Sequence, residues 1–181
     1  MTFKRILQRI QFYTLSMFLD LIEYINTVYY MHCKTSLLKK FGMQIIGNPK
    51  YIHKTVKFDD FNKITLYDNI VISFGVYFLT HDYSRLVGYN ILRSNKYEFE
   101  DFDNPLIGKI IIGANSFIGC RCLLLPNTYI GKNCIIGAGS VVKGKFPDGS
   151  VVCGNPAKII GTIEQFGHKW LNQHLNETST D

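Results

Sequence analysis

A six-residue repeat between residues 112 and 141 constrains the fold of this chain more than any other feature. Written in sixes, the stretch reads IGANSF, IGCRCL, LLPNTY, IGKNCI and IGAGSV. The first position of each hexad is always aliphatic and the fifth is always small. The first-position residues are Ile112, Ile118, Leu124, Ile130, Ile136 and then Val142, and the fifth-position residues are Ser116, Cys122, Thr128, Cys134 and Ser140. Hexads that keep one register in this way indicate a solenoid.

A period of six with one aliphatic and one small inward residue predicts short strands joined by tight corners. Three hexads would complete one triangular coil, and successive coils would pair in parallel along the axis. The aliphatic residue would fill the interior of each face, and the small one would fit where the corner narrows. Cys122 and Cys134 would then be small apolar fillers. Glycine is usual at the second position, where we expect it to relieve the backbone at the turn.

The period continues upstream in a weaker form, without the glycine column. It predicts coils from about residue 45 to about 80 through an apolar column that consists of Ile52, Phe58, Ile64, Ile70 and Val76. Between residues 83 and 109 the hexads are absent, which predicts one long loop extruded from a coil.

These patterns divide the chain into three parts. An N-terminal amphipathic helical segment would occupy residues 1–41, and a β-helix domain with the extruded loop 83–109 would occupy 42–163. Residues 164–181 would form a C-terminal helix, expected from Glu164 to Leu175, and a tail.

The apolar residues between 3 and 31 recur at helical spacing, and Lys4, Arg5 and Arg9 cluster at the start. Asp20 and Glu23 interrupt the stretch, so it does not qualify as a membrane span. Two interpretations are open. The helix packs its apolar face on the main domain, or it rests as a peripheral contact on an anionic membrane surface. A second short helix is expected from 34 to 41.

The formal net charge is +6 and the pI is about 9.0. A polyanionic ligand or surface fits this balance, but the charge is scattered and no nucleic-acid-binding motif is present, so we expect no nucleic-acid partner. The five cysteines are odd in number and follow no signal peptide, which predicts a reducing cytoplasm, at the inner face of the membrane if the helix touches lipid. The Cys120-x-Cys122 pair lacks the spacing of a zinc site.

The segments IGANSFIG, IGAGSVV and GNPAK, with THD and the predicted loop ahead of them, resemble the hexapeptide-repeat acyltransferases. The resemblance covers about residues 42–163 and is nearest to the maltose/galactoside and polysaccharide O-acetyltransferase branch. It implies a mainly β fold, a left-handed parallel β-helix with an N-terminal helical segment, an extruded loop and a short C-terminal helix. It also implies a homotrimer with active sites between neighbouring subunits, acetyl-CoA as the acyl donor, and no metal.

In that family the histidine that follows threonine, just before the loop, is the catalytic base, and it matches His81. Transfer of an acetyl group to a hydroxyl needs such a base, because an alcohol is a poor nucleophile at neutral pH. The expected mechanism is direct attack in a ternary complex, with a backbone N–H stabilising the tetrahedral oxyanion. The alternative for His81 is a partly buried structural histidine at the end of a strand.

The resemblance also implies contacts with both substrates. The cofactor-binding candidates are Cys120, Ala138, Lys143, Gly144 and Lys158, and Lys158 aligns with a residue that meets the 3′-phosphate. The acceptor-binding candidates are Asp60, Asn62, Asp82, Tyr83 and Arg85. For the lysines the alternative is a solvated surface. Asp82 either shapes the acceptor pocket or simply starts the loop.

The sequence therefore favours an acetyl-CoA-dependent O-acetyltransferase that acts on a carbohydrate hydroxyl in capsule, O-antigen or exopolysaccharide biosynthesis. The acceptor would be a carbohydrate, a sugar nucleotide or a lipid-linked sugar. One alternative is an N-acetyltransferase of an amino sugar nucleotide, and another is a non-enzymatic trimeric scaffold. A metal lyase of the γ-carbonic-anhydrase type is disfavoured, because three histidines must converge on zinc and only His81 lies in the right region.

Overall fold

The computed structural model describes residues 3–94 and 105–178. Within these ranges the α-helices are α1 (Phe3–Glu23), α2 (Thr27–Lys40), α3 (Ser84–Ser94) and α4 (Ile163–Thr178), and a short 3₁₀ turn spans Phe61–Lys63. The strands are β1 (Gln44–Ile45), β2 (Tyr51–Ile52), β3 (Lys57–Phe58), β4 (Ile64–Leu66), β5 (Val71–Ile72), β6 (Tyr77–Phe78), β7 (His81–Asp82), β8 (Leu106–Ile107), β9 (Ile110–Ile112), β10 (Phe117–Ile118), β11 (Leu123–Leu124), β12 (Thr128–Ile130), β13 (Ile135–Ile136), β14 (Val141–Val142), β15 (Lys145–Phe146), β16 (Ser150–Gly154) and β17 (Ala157–Thr162).

Three sheets form the faces of a solenoid. Sheet A has the order β1-β4-β9-β12-β15, sheet B the order β2-β5-β10-β13-β16-β17, and sheet C the order β3-β6-β11-β14. Every neighbouring pair in these sheets is parallel except β16 and β17. Ile112 pairs with Ile130 and Ile118 with Ile136. Each pair is separated by three hexads, as predicted, and the mostly parallel sheets fit a left-handed β-helix.

The two inward columns fill the solenoid. All first-position residues from Ile112 to Val142 are fully buried. The fifth-position residues are also buried, and they are polar for a reason that the sequence did not reveal. The Ser116 hydroxyl donates to the carbonyl of Gly131 at 2.9 Å, so it satisfies a buried acceptor at the corner. Burial raises the pKa of the Cys122 and Cys134 thiols, which suits fillers rather than reactive groups.

The expected role of the glycine column is wrong. Gly113 and Gly119 do not adopt positive φ; the left-handed positions are the fourth of each hexad, namely Asn115, Arg121, Asn127, Asn133 and Gly139. A Cβ on Gly113 would lie 2.5 Å from the backbone of Gly131 in the next coil, and one on Gly119 would lie 2.6 Å from the backbone nitrogen of Ala138. Glycine is therefore needed at the second position because adjacent coils approach so closely there.

The predicted upstream register contains a slip. Ile52 pairs with Ile72 and Phe58 with Phe78, and each pair is twenty residues apart rather than eighteen. The 3₁₀ turn between β3 and β4 lies where the two extra residues enter this coil. Ile64, Ile70 and Val76 therefore occupy the fifth-position column and not the column of Ile52 and Phe58. The mistake is hidden in the sequence because both columns are apolar and buried in this part of the chain.

Two N-terminal helices are present, as predicted, but the first ends at Glu23 and not near residue 31, and the second begins at Thr27 and not near residue 34. Helix α1 ends at Glu23, and the side chain of Asn26 caps α2 by accepting from the Tyr29 N–H. The two helices pack as a pair, and the buried Lys34 ammonium of α2 donates to Ser16 of α1 at 2.8 Å. At the other end of the chain, α4 lies where the C-terminal helix is expected.

The predicted loop 83–109 lies partly outside the described residues, which omit 95–104. Its described parts are regular. Ser84–Ser94 form α3, and β8 pairs in antiparallel fashion with β7, so that His81 lies opposite Ile107. The segment therefore begins and ends on a two-stranded ribbon that carries His81.

Because a Cβ at position 113 would meet backbone and not a flexible side chain, we expect Gly113→Ala to destabilise the solenoid by about 1–3 kcal/mol. Gly167→Ala in α4 is the control: its Cβ would meet nothing within 4 Å, and alanine favours the helix. Thermal unfolding followed by circular dichroism should show a lower midpoint for the first variant only. Equal midpoints for both variants would contradict the close-approach argument.

Candidate functional site

His81 lies at the edge of the solenoid where sheet C passes to sheet A, and the carboxylate of Asp59 lies beneath it. The Nδ1 atom of His81 forms a short hydrogen bond with Asp59 Oδ2. The same oxygen accepts from the Thr80 hydroxyl at 3.0 Å and from the Thr80 N–H at 3.3 Å. Asp59 Oδ1 accepts from the Arg9 guanidinium of α1 at 2.8 Å. The Asp59 carboxylate is therefore held from three directions, with its side chain only 8% exposed.

The electrostatics of this cluster keep Asp59 ionised. Burial by itself would raise the pKa of Asp59. The hydrogen bonds from Thr80, together with the charge and hydrogen bonds of His81 and Arg9, outweigh burial and hold that pKa below its ordinary value. An ionised Asp59 can accept a hydrogen bond from the Nδ1–H group of His81. This hydrogen bond fixes the tautomer and the orientation of the imidazole.

This arrangement makes His81 a competent base. With the proton on Nδ1, the Nε2 lone pair is the acceptor that the ring presents. The His81 side chain is 40% exposed, so a substrate can reach it. The ring of Tyr83 packs edge-on against the imidazole at a centroid distance of 5.4 Å and helps to fix its plane.

A cavity of about 450 Å³ opens in front of His81, within the size range of small-molecule sites. Three acceptor candidates, Asp60, Asn62 and Tyr83, line it. The walls also include Gln8 and Arg9 of α1, Phe41, Gly42, Asp59, Phe61, Thr80, Pro105 and Ile107. The cavity is therefore built by α1, the 3₁₀ turn and the β7–β8 ribbon together.

The other two acceptor candidates are not part of the cavity wall. Asp82 Oδ1 accepts from the Ser84 N–H at 2.8 Å, and this hydrogen bond at the start of α3 lowers the pKa of Asp82. The Arg85 guanidinium donates to the Pro105 carbonyl at 3.1 Å and lies over the Tyr89 ring. Both residues thus support the segments that surround His81.

The cofactor candidates fall on two different edges of the solenoid. Lys143 and Gly144 follow β14, at the same C-to-A edge as His81. Cys120 follows β10 and Ala138 follows β13, at the edge between sheets B and C, where the Gly139 N–H donates to the Cys120 carbonyl at 2.8 Å. Lys158 lies on β17 opposite Cys153, beside this second edge. Within one chain the structure therefore does not bring these three residues to the His81 cavity.

Asp59 and Arg9 are the functional candidates that the sequence reasoning missed. The family resemblance pointed to Asp60 and Asn62 as acceptor-binding residues and gave no role to Asp59. Pairing of Phe58 with Phe78 places Asp59 next to the strand that leads to Thr80 and His81. In the sequence Arg9 appears only as one of three cations near the start of α1, which gave no signal that it faces inward. Among residues 3–94 and 105–178 there is no group of three potential metal-ligating side chains.

We expect Asp59→Asn to destabilise the protein by about 1–3 kcal/mol near neutral pH, because it removes the counter-charge of Arg9 and the carboxylate acceptor of the His81 ring. Since the pKa of Asp59 is depressed in the folded protein, its stabilising effect is present above the ordinary value of 3.8 and is lost as the pH falls further, through the folded pKa. Urea unfolding at a series of pH values checks this.

The stability difference between the wild type and Asp59→Asn should shrink as the pH drops below 3.8. Asp148→Asn is a matched control at another corner, where the carboxylate accepts from the Lys132 N–H at 2.8 Å without a guanidinium partner. A difference between wild type and Asp59→Asn that does not change with pH would contradict the ionised state of Asp59.

Comparison with known proteins agrees with this architecture. The family model described as "Bacterial transferase hexapeptide (six repeats)" matches residues 109–144. YvoF of Bacillus subtilis (strain 168), provisionally named an acetyltransferase, is 36% identical over 81 residues, which are 44% of this chain and 45% of YvoF. WbbJ of Escherichia coli (strain K12), provisionally named a lipopolysaccharide biosynthesis O-acetyl transferase, is 43% identical over 60 residues, 33% of this chain and 29% of WbbJ. The matches thus span less than half the length of these relatives.

Solved structures share the fold over a larger part of the chain. The hexapeptide-repeat acetyltransferase VCA0836 of Vibrio cholerae has a TM-score of 0.55 at 17% identity and covers 89% of this chain and 93% of its own. A galactoside acetyltransferase in complex with coenzyme A has a TM-score of 0.54 at 22% identity, with coverages of 90% and 84%. The maltose O-acetyltransferase of Clostridium difficile 630 has a TM-score of 0.51 at 20% identity, with coverages of 71% and 74%. Residues 109–144 of the chain are therefore similar to the hexapeptide repeats of bacterial transferases, and the chain shares its fold with these solved acetyltransferase structures.

Proposed function

We propose that the protein is an acetyl-CoA-dependent O-acetyltransferase that acts on a carbohydrate hydroxyl. The observation that carries the proposal is the His81–Asp59 pair at the wall of a polar cavity. An oriented imidazole with an available Nε2 is what deprotonation of an alcohol requires. The names of the relatives and of the structural neighbours support acetyl transfer, and two of the neighbours are sugar acetyltransferases by title.

In the proposed reaction His81 Nε2 takes the proton of the acceptor hydroxyl while its oxygen attacks the thioester carbonyl. The C–O bond forms, and the carbonyl electrons move to the oxygen as a tetrahedral oxyanion, which a backbone N–H at a coil corner stabilises. Collapse of the intermediate breaks the C–S bond, and imidazolium returns the proton to the departing thiolate of coenzyme A. Asp59 stays ionised throughout and stabilises the imidazolium, so it is a positioning residue and not a second base.

The lining of the cavity suits a sugar. Asp60 and Asn62 can hydrogen-bond to ring hydroxyls, and Gln8 can do so from the opposite wall. Tyr83, which already packs on His81, offers an aromatic face to the apolar side of a pyranose ring. Arg85 and Asp82 would act by holding the ribbon and α3 in place around the acceptor. The name of WbbJ supports a polysaccharide building block as acceptor.

The separation of the candidates on two edges supports a homotrimer with shared sites. In such an assembly the edge that carries His81, Lys143 and Gly144 in one subunit would face the edge that carries Cys120, Ala138 and Lys158 in its neighbour. Acetyl-CoA would lie in the cleft between them. Cys120 and Ala138 are exposed on adjacent coils, where the extended pantetheine arm could lie along them. Exposed Ile160 and Trp170 near the end of the solenoid also favour burial in an assembly.

We predict that His81→Ala abolishes acetyl transfer, with a loss of about 10²–10⁴-fold in kcat. The side chain is 40% exposed and its removal leaves the inner columns intact, so the assembly and cofactor binding should survive. Release of free thiol from acetyl-CoA in a screen of neutral and amino sugars measures the activity. His174→Ala in α4 is the control and should keep full activity. Near-wild-type turnover in His81→Ala would sink this mechanism, and turnover with amino sugars alone would indicate N-acetylation.

We also predict that Lys158 contacts the 3′-phosphate of the cofactor. Lys158→Ala should weaken binding of acetyl-CoA about tenfold or more, as expected for a charge-assisted contact of about 1.5–3 kcal/mol. It should leave binding of acetyl-dephospho-CoA, which lacks that phosphate, unchanged. Calorimetry with both compounds provides the measurement, and Lys132→Ala, an exposed lysine at another corner, is the matched control. Equal losses for both compounds would refute the phosphate contact.

A further inference from the structure

In an ordinary surface helix the charged residues face solvent, whereas in α1 they face the protein. Between residues 6 and 25 its charged residues are Arg9, Asp20 and Glu23. All three are on the side that faces the protein: Arg9 binds Asp59, Asp20 is partly buried near Lys34, and Glu23 accepts from the Tyr51 hydroxyl at 2.6 Å. The inner side of α1 therefore combines these polar contacts with apolar packing by Phe12, Leu19 and Ile22 against the core.

The opposite side of α1, continued through the turn into α2, is apolar and exposed. Phe18 is 60% exposed, Leu21 66% and Ile25 87%. We call this surface the outer face; its members are Ile6, Leu7, Ile10, Tyr13, Leu15, Met17, Phe18, Leu21, Tyr24, Ile25 and Val28. At 1.5 Å per residue the helical part alone is about 30 Å long. A contiguous apolar surface of this extent on a soluble protein marks an interaction site.

A basic groove adjoins the outer face. Its cationic and titratable lining residues are His32, Lys39 and Lys50, and none of the residues that line it is a carboxylate. The remaining walls are Thr27, Val28, Met31, Thr35, Ser36, Asn48 and Pro49. Val28 belongs to both surfaces, so the apolar face continues directly into a region of positive charge. The sequence adds Lys4 and Arg5 at the other end of α1.

We propose that the outer face of α1 docks on a bilayer that contains anionic phospholipid, with the basic groove against the headgroups. The outer face carries no charge, Tyr13 and Tyr24 lie at its edge, and the cationic groove flanks it. These features are typical of an interfacial helix. Among the described residues no helix is long and apolar enough to cross a membrane, so α1 would lie along the surface.

Charge also separates this occupant from a second copy of the chain. A two-fold contact between outer faces would bring two basic grooves towards each other with no carboxylate in the groove to compensate. An anionic bilayer matches both the apolar face and the cations.

The docking surface and the candidate acceptor cavity share one helix. Gln8 and Arg9 line the cavity from the inner side of α1, while Ile6, Leu7 and Ile10 lie on the outer face. A helix is about 10 Å across. A protein docked in this way would therefore hold the cavity about one helix diameter from the bilayer surface.

Flotation of the full chain with vesicles tests the proposal, without acetyl-CoA or any acceptor. We expect the protein to float with vesicles of equal parts phosphatidylcholine and phosphatidylglycerol, and much less with phosphatidylcholine alone. The double variant Phe18→Ser/Leu21→Ser should lose binding more than tenfold, because it replaces two large apolar side chains of the inserted face with polar ones. Lys39→Glu/Lys50→Glu should remove the preference for anionic vesicles.

The matched control is Val87→Ser/Leu171→Ser, which removes two apolar residues of similar exposure, 68% and 54%, from α3 and α4. It should float like the wild type, and all variants should keep the wild-type thermal midpoint. Failure of the wild type to float with anionic vesicles would overturn the proposal. So would a Phe18→Ser/Leu21→Ser variant that floats normally but has a lower mass by light scattering, which would make the outer face a contact between copies. Neither outcome depends on acetyl transfer.

Discussion

The close stacking of the coils is the constraint on which the rest of the structure depends. Adjacent backbones approach so closely at the second-position glycines that a Cβ there would lie within 3 Å of the next coil, as at Gly113, Gly119 and Gly131. At this spacing the parallel ladders form, and the hydroxyl or thiol of the fifth position reaches the corner carbonyl of the following coil. The repeat therefore reflects the close packing of adjacent coils as much as the burial of apolar side chains. Only its outward positions are available for binding or catalysis.

The candidate site arises where this rule is interrupted. The 3₁₀ turn Phe61–Lys63 adds two residues to one coil, and the long segment after His81 leaves the next coil. Both interruptions occur at the edge between sheets C and A. They open space for a cavity there and stack Asp59 beneath Thr80 and His81. Neither the turn nor the ribbon could place these side chains without the regular coils above, which fix the positions of β6 and β9.

The sequence could predict what repeats and not what interrupts the repeat. Ile112 to Val142 gave the solenoid, its coil length and its buried column, because each residue appears in several equivalent copies. His81 became a candidate through the family resemblance, as the histidine that follows threonine just before the segment that lacks hexads. Asp59 was missed because the slip of two residues is not visible in the periodicity. Ile64 and Ile70 are apolar and six residues apart, so they fit the predicted register as well as the observed one. Arg9 depends on how α1 docks, and no local pattern encodes a tertiary contact fifty residues away.

The polar contacts on the inner side of α1 fix the position of the helix on the solenoid more than they stabilise its packing there. A buried ion pair contributes little net stability, because desolvation offsets most of the attraction, but its geometry admits few alternatives. Arg9 pairs with Asp59 near one end of α1, and Glu23 pairs with Tyr51 and Lys54 at the other end. A helix that slid or rotated would break these pairs, so together they fix its placement. Phe12, Leu19 and Ile22 add apolar packing on the same side. Because all the charged residues of α1 between residues 6 and 25 are used in these inner contacts, none is left for the exposed outer face.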